Sequence, residues 1–149
     1  MKLFVPYRRA TLLIPSGPAH DSERKHLFVV LTDPAEVLEF PGKHSLLVGI
    51  ASIYPEIPHD PACELHVGDH EFIRHKSYVE FARAAIEQSQ KLVNGVKRGE
   101  LVAKAMLAEE IFARVCKGLT ESRFTAPRIL TFYRAAEEAK KGLGKPPVR

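Results

Sequence analysis

His26-Leu-Phe-Val-Val-Leu-Thr32 and Ser45-Leu-Leu-Val-Gly-Ile-Ala-Ser-Ile-Tyr54 are the two apolar, β-branched runs whose reading decides the fold. Neither shows helical periodicity, so both are expected as strands buried in a sheet interior. Asp33-Pro34 ends the first run, and Pro41-Gly42-Lys43-His44 separates the two. Gly49, inside the second, marks a bend or bulge. The segments Leu27 to Leu31 and Leu46 to Ile50 are therefore expected side by side in one bent sheet.

Shorter elements surround them. Thr11-Leu-Leu-Ile-Pro15 reads as a strand closed by Ser16-Gly17-Pro18, and His20 to Lys25 reads as a charged, exposed connector. Pro55, Pro58 and Pro61 impose an extended link. Cys63 to Val67 alternates as a third strand of the series, Gly68-Asp69 turns, and Ser77 to Phe81 alternates as a fourth. Ala82 to Val93 suits a helix by propensity and equally a continuation of the barrel, with Asn94-Gly95 a turn signal. Leu107, Ile111, Val115 and Leu119 recur every fourth residue, which gives an amphipathic helix. Pro127 opens a last helix that runs to about Lys141. Strands first and helices last define an α+β chain of one domain: a small, strongly bent antiparallel sheet or barrel over about 10–95, and a helical part over about 100–141.

Composition bounds the function. With 149 residues and 45% hydrophobic content the chain can bury a core, and 22 Lys+Arg against 18 Asp+Glu leave a mild basic excess that suits a phosphate-rich partner. Cys63 and Cys116 are too few for a disulfide framework and neither sits in a Cys-x-x-Cys pair, which points to a reducing compartment, the cytoplasm. No apolar run is long enough to span a bilayer, and Pro6, Arg8 and Arg9 interrupt any signal-peptide core, so no membrane partner is expected.

Chemistry-bearing residues concentrate between Asp60 and Phe81, which together with the adjoining His59 holds four of the seven histidines. His59, Cys63, His66 and His70 have spacings that invite a zinc reading. Pro58 and Pro61 oppose a helix there, however, and on a strand Cys63 and His66 point to opposite faces, so neither a metal nor another cofactor is expected. His70, Arg74, His75 and Lys76, with Ser77 and Tyr78 following, instead form a cationic set beside aromatic rings, suited to phosphate contact and base stacking. The competing reading packs His70 into the turn, bonded to backbone, and puts Tyr78 and Phe81 in the core.

His26 to Pro34, Leu47-Val-Gly-Ile-Ala-Ser52, Asp60-x-x-Cys63-x-Leu65, Gly68-Asp-His-x-Phe-Ile73 and Ser77-Tyr-Val79 together resemble a divergent branch of the PemK/MazF-like toxins, over roughly residues 10 to 122. The resemblance implies an SH3-like β-barrel with helices, dimeric, that cuts single-stranded RNA without a metal and is blocked by a small antitoxin protein. By place, Arg24 or Lys25 matches the basic residue that opens the family's second strand, and Ser52 matches the Ser or Thr that ends its third. Lys25-His26 stands where the family has Arg-Pro, and the Gly-Asp-x-Trp type of opening is missing from the first strand. Metal-free RNA cleavage needs a base, a cation and an acid. Glu23 or a histidine is the candidate base, Arg24 and Lys25 the cations, and Ser52 a donor to phosphate. The alternative is an SH3-like barrel that binds a protein or nucleic-acid partner and cleaves nothing.

Overall fold

The computed structural model describes residues 3–16, 24–37 and 40–143. Six strands and three helices follow in the order β1 (Thr11–Pro15), β2 (Lys25–Val30), β3 (His44–Ser52), β4 (Glu64–Leu65), β5 (Ser77–Gln88), α1 (Ser89–Lys97), β6 (Val102–Lys104), α2 (Glu109–Glu121) and α3 (Pro127–Leu143). The strands form one antiparallel sheet in the order β4-β5-β3-β2-β1-β6, curled into a half-barrel with the C-terminal helices against it. The α+β expectation holds, as does the central pairing: Phe28, Val29 and Val30 oppose Gly49, Val48 and Leu47.

The curl has a local cause. On β3 the partner register runs from Leu47↔Ala85 to Gly49↔Glu80, so one residue on β3 lies opposite four on β5, and β5 bends there through the exposed Ala82 and Arg83. Gly49 on the opposite strand leaves room for the Phe28 ring, which a Cβ there would crowd at 3.0 Å. The expected irregularity at Gly49 is thus present, with the extra residues in its partner.

The bend gives the sheet an inner face. Leu13, Leu27, Val29, Leu46, Val48, Val79 and Phe81 line it, and Phe112, Val115 and Leu119 of α2 with Ile129, Phe132 and Ala136 of α3 complete the same apolar cluster. Burial of this area is the main stabilising term. Gly118 allows α2 to approach, since a Cβ there would stand 2.8 Å from Phe81 and 2.9 Å from Cys63.

β4 and β6, the two edges, do not pair. The expected third strand over Cys63 to Val67 is reduced to Glu64–Leu65, because Gly68 adopts φ +104° and turns the chain early. A side chain bridges the gap instead. His70, 6% exposed, places Nε2 2.7 Å from the Ala105 carbonyl beyond β6 and 3.2 Å from Thr11 Oγ1, while the Phe72 N–H donates to its Nδ1 at 3.0 Å.

The segment left open between helix and barrel divides between the two, and the expected turn after it is absent. Residues Ala82 to Gln88 extend β5, because Ala85 and Ile86 pair with Leu47 and Leu46, and only Ser89–Lys97 is helical. Asn94-Gly95 makes no turn. It lies within α1, where Gly95 leaves room for the Leu101 side chain, 2.6 Å from where a Cβ would be.

Candidate functional site

Antiparallel pairing brings the start of β2 and the end of β3 together, and Ser52 pairs with Ser77 at the start of β5. The connections β3–β4 and β4–β5 leave from this end and rise on either side. The first is held extended by its prolines. The second is tied down by His70, by the Ile53 N–H donating to the Lys76 carbonyl at 2.9 Å, and by Ser77 Oγ donating to the His75 carbonyl at 2.8 Å. Between them lies a groove of about 520 Å³.

The groove collects residues from three separated parts of the sequence. Arg24 and Lys25 come from β2 and the residue before it, Arg74 and His75 from the β4–β5 connection, and Ser52, Ser77 and Tyr78 from the strand ends. His26 and His59 add two imidazoles, and Tyr54 and Phe72 add two partly exposed rings. No carboxylate is among the described residues that line it. Three permanent cations therefore face a concave surface lined with rings and hydroxyls, a site of positive potential with low-polarity walls.

The imidazoles are differently held. His59 lies 2.7 Å through Nε2 from Glu64 Oε2, and Lys76 Nζ lies 3.5 Å from the other carboxylate oxygen. The His59 hydrogen bond, aided by the Lys76 charge, holds the Glu64 carboxyl below the usual carboxylate range. The His59 ring also packs on Tyr78 with centroids 5.1 Å apart. Burial, and then the Glu80 charge, push the Tyr78 hydroxyl up, so it remains a neutral donor. His26 Nδ1 sits 2.7 Å from Ser16 Oγ. His75 is exposed in its loop.

Three sequence expectations need a different account. His70 does not reach the groove: it is buried, its ring nitrogens engaged as described, and it positions the loop that carries Phe72 to His75. Lys76 turns to Glu64 and does not line the groove. Glu23 lies outside the described residues. Among the described residues no three His, Cys, Asp or Glu side chains converge as a metal site. Cys63 is 4% exposed within the core, and burial raises its thiol, which leaves it a small apolar group and not a nucleophile.

His26, His59, Tyr54 and Phe72 were not singled out as groove residues in the sequence reading. Period-two spacing along β2 puts Arg24, His26 and Phe28 on one side of the strand, a signal that could have added His26 to Arg24. Nothing local signals His59, whose role depends on Glu64 and Tyr78 lying across the loop. Among the described residues no helix is long and apolar enough to cross a membrane. The chain matches no protein-family model, no curated protein and no solved structure.

Proposed function

We propose that the groove at the β2, β3 and β5 ends binds single-stranded RNA, and that the protein is a toxin-like endoribonuclease similar to the PemK/MazF group that cuts RNA without a metal. The observation that carries this reading is the convergence of Arg24, Lys25 and Arg74 with Tyr54, Phe72 and Tyr78 in a groove whose described lining has no carboxylate. Cations neutralise successive phosphates and rings stack unpaired bases, the combination that holds single strands. Ser52 can donate to a phosphate oxygen, while the Ser77 hydroxyl is spent on the His75 carbonyl. Metal-free cleavage needs proton carriers, and His26, His59 and His75 are the imidazoles at the groove, with the cations stabilising the charged phosphorane. A small acidic antitoxin and a second copy of the chain are the partners this reading brings with it.

The test is incubation of labelled single-stranded RNA with the protein in excess chelator. Cleavage fragments ending in a 2′,3′-cyclic phosphate are expected, with rate and binding both falling more than tenfold in Arg24→Ala/Lys25→Ala. RNA bound but left intact would favour the non-cleaving barrel instead. That second reading draws on a separate feature, a groove of about 760 Å³ on the outer sheet face with an apolar floor of Phe28, Leu47 and Leu92, suited to a partner surface.

A further inference from the structure

Beside the cationic groove lies a smaller cleft of about 260 Å³, separated from it by a wall of Pro58, His59 and Tyr78 that lines both. Its volume is below the roughly 300–1,000 Å³ of pockets that take drug-sized ligands, and suits a single planar ring system. Its far side is Phe124, whose ring is 49% exposed.

Exposed as it is, Phe124 is rigidly mounted. Asp60, buried at 9% exposure, accepts from the Ala62 N–H at 2.9 Å through one oxygen and from Ser122 Oγ at 2.6 Å through the other. Ser122 Oγ in turn accepts from the Phe124 N–H at 3.0 Å, and Thr125 Oγ1 donates to the Leu119 carbonyl at 2.7 Å. A buried carboxylate, costly to desolvate, is thus used to fix the turn that presents an aromatic ring to solvent. Arg123 stacks over that ring, 5.5 Å from its centroid.

The polar side chains that line the cleft are those of His59, Asp60, Tyr78, Glu80 and Arg83. Both oxygens of Asp60 are engaged, so Glu80 is the acceptor that remains, with Arg83 Nε 3.9 Å from it. Guanine presents two adjacent donors, N1–H and the 2-amino group, which match the two oxygens of one carboxylate, and its O6 and N7 acceptors match a guanidinium. Uracil has no amino group to offer, and adenine and cytosine each offer one amino group without an adjacent N–H.

We propose that this cleft is a base-reading subsite: a guanine leaves the strand held in the main groove, passes the His59–Tyr78 wall, and stacks on Phe124 with its donor edge on Glu80. The inference rests on the reading of the main groove as an RNA site, and the two can fail separately.

The experiment is fluorescence anisotropy with a labelled uridine heptamer and three versions carrying one central guanine, adenine or cytosine. The guanine version is expected to bind at least fivefold tighter than the others. Phe124→Ala and Glu80→Gln should each remove that preference, whereas Phe124→Trp, which keeps a stacking surface, should retain it. All four RNAs should still bind both loss variants, with unchanged salt dependence, and thermal melting should confirm that the variants fold. Equal binding of the four RNAs by the native chain would overturn the subsite and leave the groove reading standing. So would a preference that survives both Phe124→Ala and Glu80→Gln, or one that favours another base. No binding of any of the RNAs would overturn both.

Discussion

Two grooves share the central sheet, and their charges are arranged in opposite ways. On the outer sheet face, Arg83, Lys91 and Arg98 each have a carboxylate nearby: Glu80 at 3.9 Å, Glu87 at 3.8 Å and Glu100 at 3.1 Å. The groove at the strand ends has Lys25 and Arg74, shares Arg24 with the outer groove, and has no carboxylate among its described lining residues. Exposed pairs cancel each other's field and contribute little stability. Cations without local acidic neighbours keep their field and attract polyanions. The net charge of +4 thus says less about function than the local meeting of cations with rings and hydroxyls.

The largest effect that could break this comparison is loss of the shared sheet. Val29 is fully buried between β1 and β3, so Val29→Asp places an unpaired carboxylate in the core, at a cost of several kcal/mol. No cooperative melting transition is expected. A soluble Val29→Asp chain with a normal melt would show that the core is not where we place it.

His70→Ala should separate the two grooves. It removes the bridge from the loop to Ala105 and leaves the Phe72 N–H without its acceptor, at about 1–3 kcal/mol, while the Thr11 hydroxyl keeps its bond to the Ala105 carbonyl. Hydrogen exchange should quicken in the 70–76 loop and weaken RNA binding with it, while α1, which borders the outer groove, stays protected. Uniform loss of protection would place His70 in the global core.

Lys25→Ala/Arg74→Ala sharpens the comparison directly, because these two residues line only the strand-end groove. RNA affinity should fall about tenfold or more, and the slope of log affinity against log salt should lessen by about 1.4, two phosphates' worth on a single strand. Lys91→Ala/Arg98→Ala in the outer groove should change affinity less than threefold. The reverse outcome would move the nucleic-acid surface to the sheet face.

How much of this could be read from the sequence depends on the range of the forces involved. β2, β3, α2 and α3 were legible because burial imposes a period on consecutive residues, and Pro127 stands at the first position of α3 as expected. The strand from Ala82 to Gln88 was not, since its Ala, Arg and Glu content suits a helix and only pairing with β3 makes it β. For His70 the sequence offered both a phosphate-facing role and burial in the turn with a bond to backbone; burial holds, and the sequence could not decide it because the partner, Ala105, lies 35 residues on. For the site, the two basic segments were legible one at a time, as charge is local. Their meeting in one groove, and the part played by His59, are products of the fold.

The smallest effect tests Glu64, a carboxylate that reaches the strand-end groove through His59. Glu64 holds His59 and meets Lys76, and its carboxyl lies below the ordinary carboxylate value near 4.5. A carboxyl with a lowered folded-state value contributes stability that is present above its unfolded value and is lost as pH falls through the folded one. Glu64→Gln should therefore lower the melting temperature at pH 6 by no more than about 2–4 °C, since the pair is partly exposed, and this difference should vanish as pH falls below 4. RNA binding should be unchanged or slightly tighter in Glu64→Gln, because a negative charge behind His59 is removed. Weaker RNA binding in the variant would mean that Glu64 positions His59 for contact with the strand, and the carboxylate would then count as part of the groove.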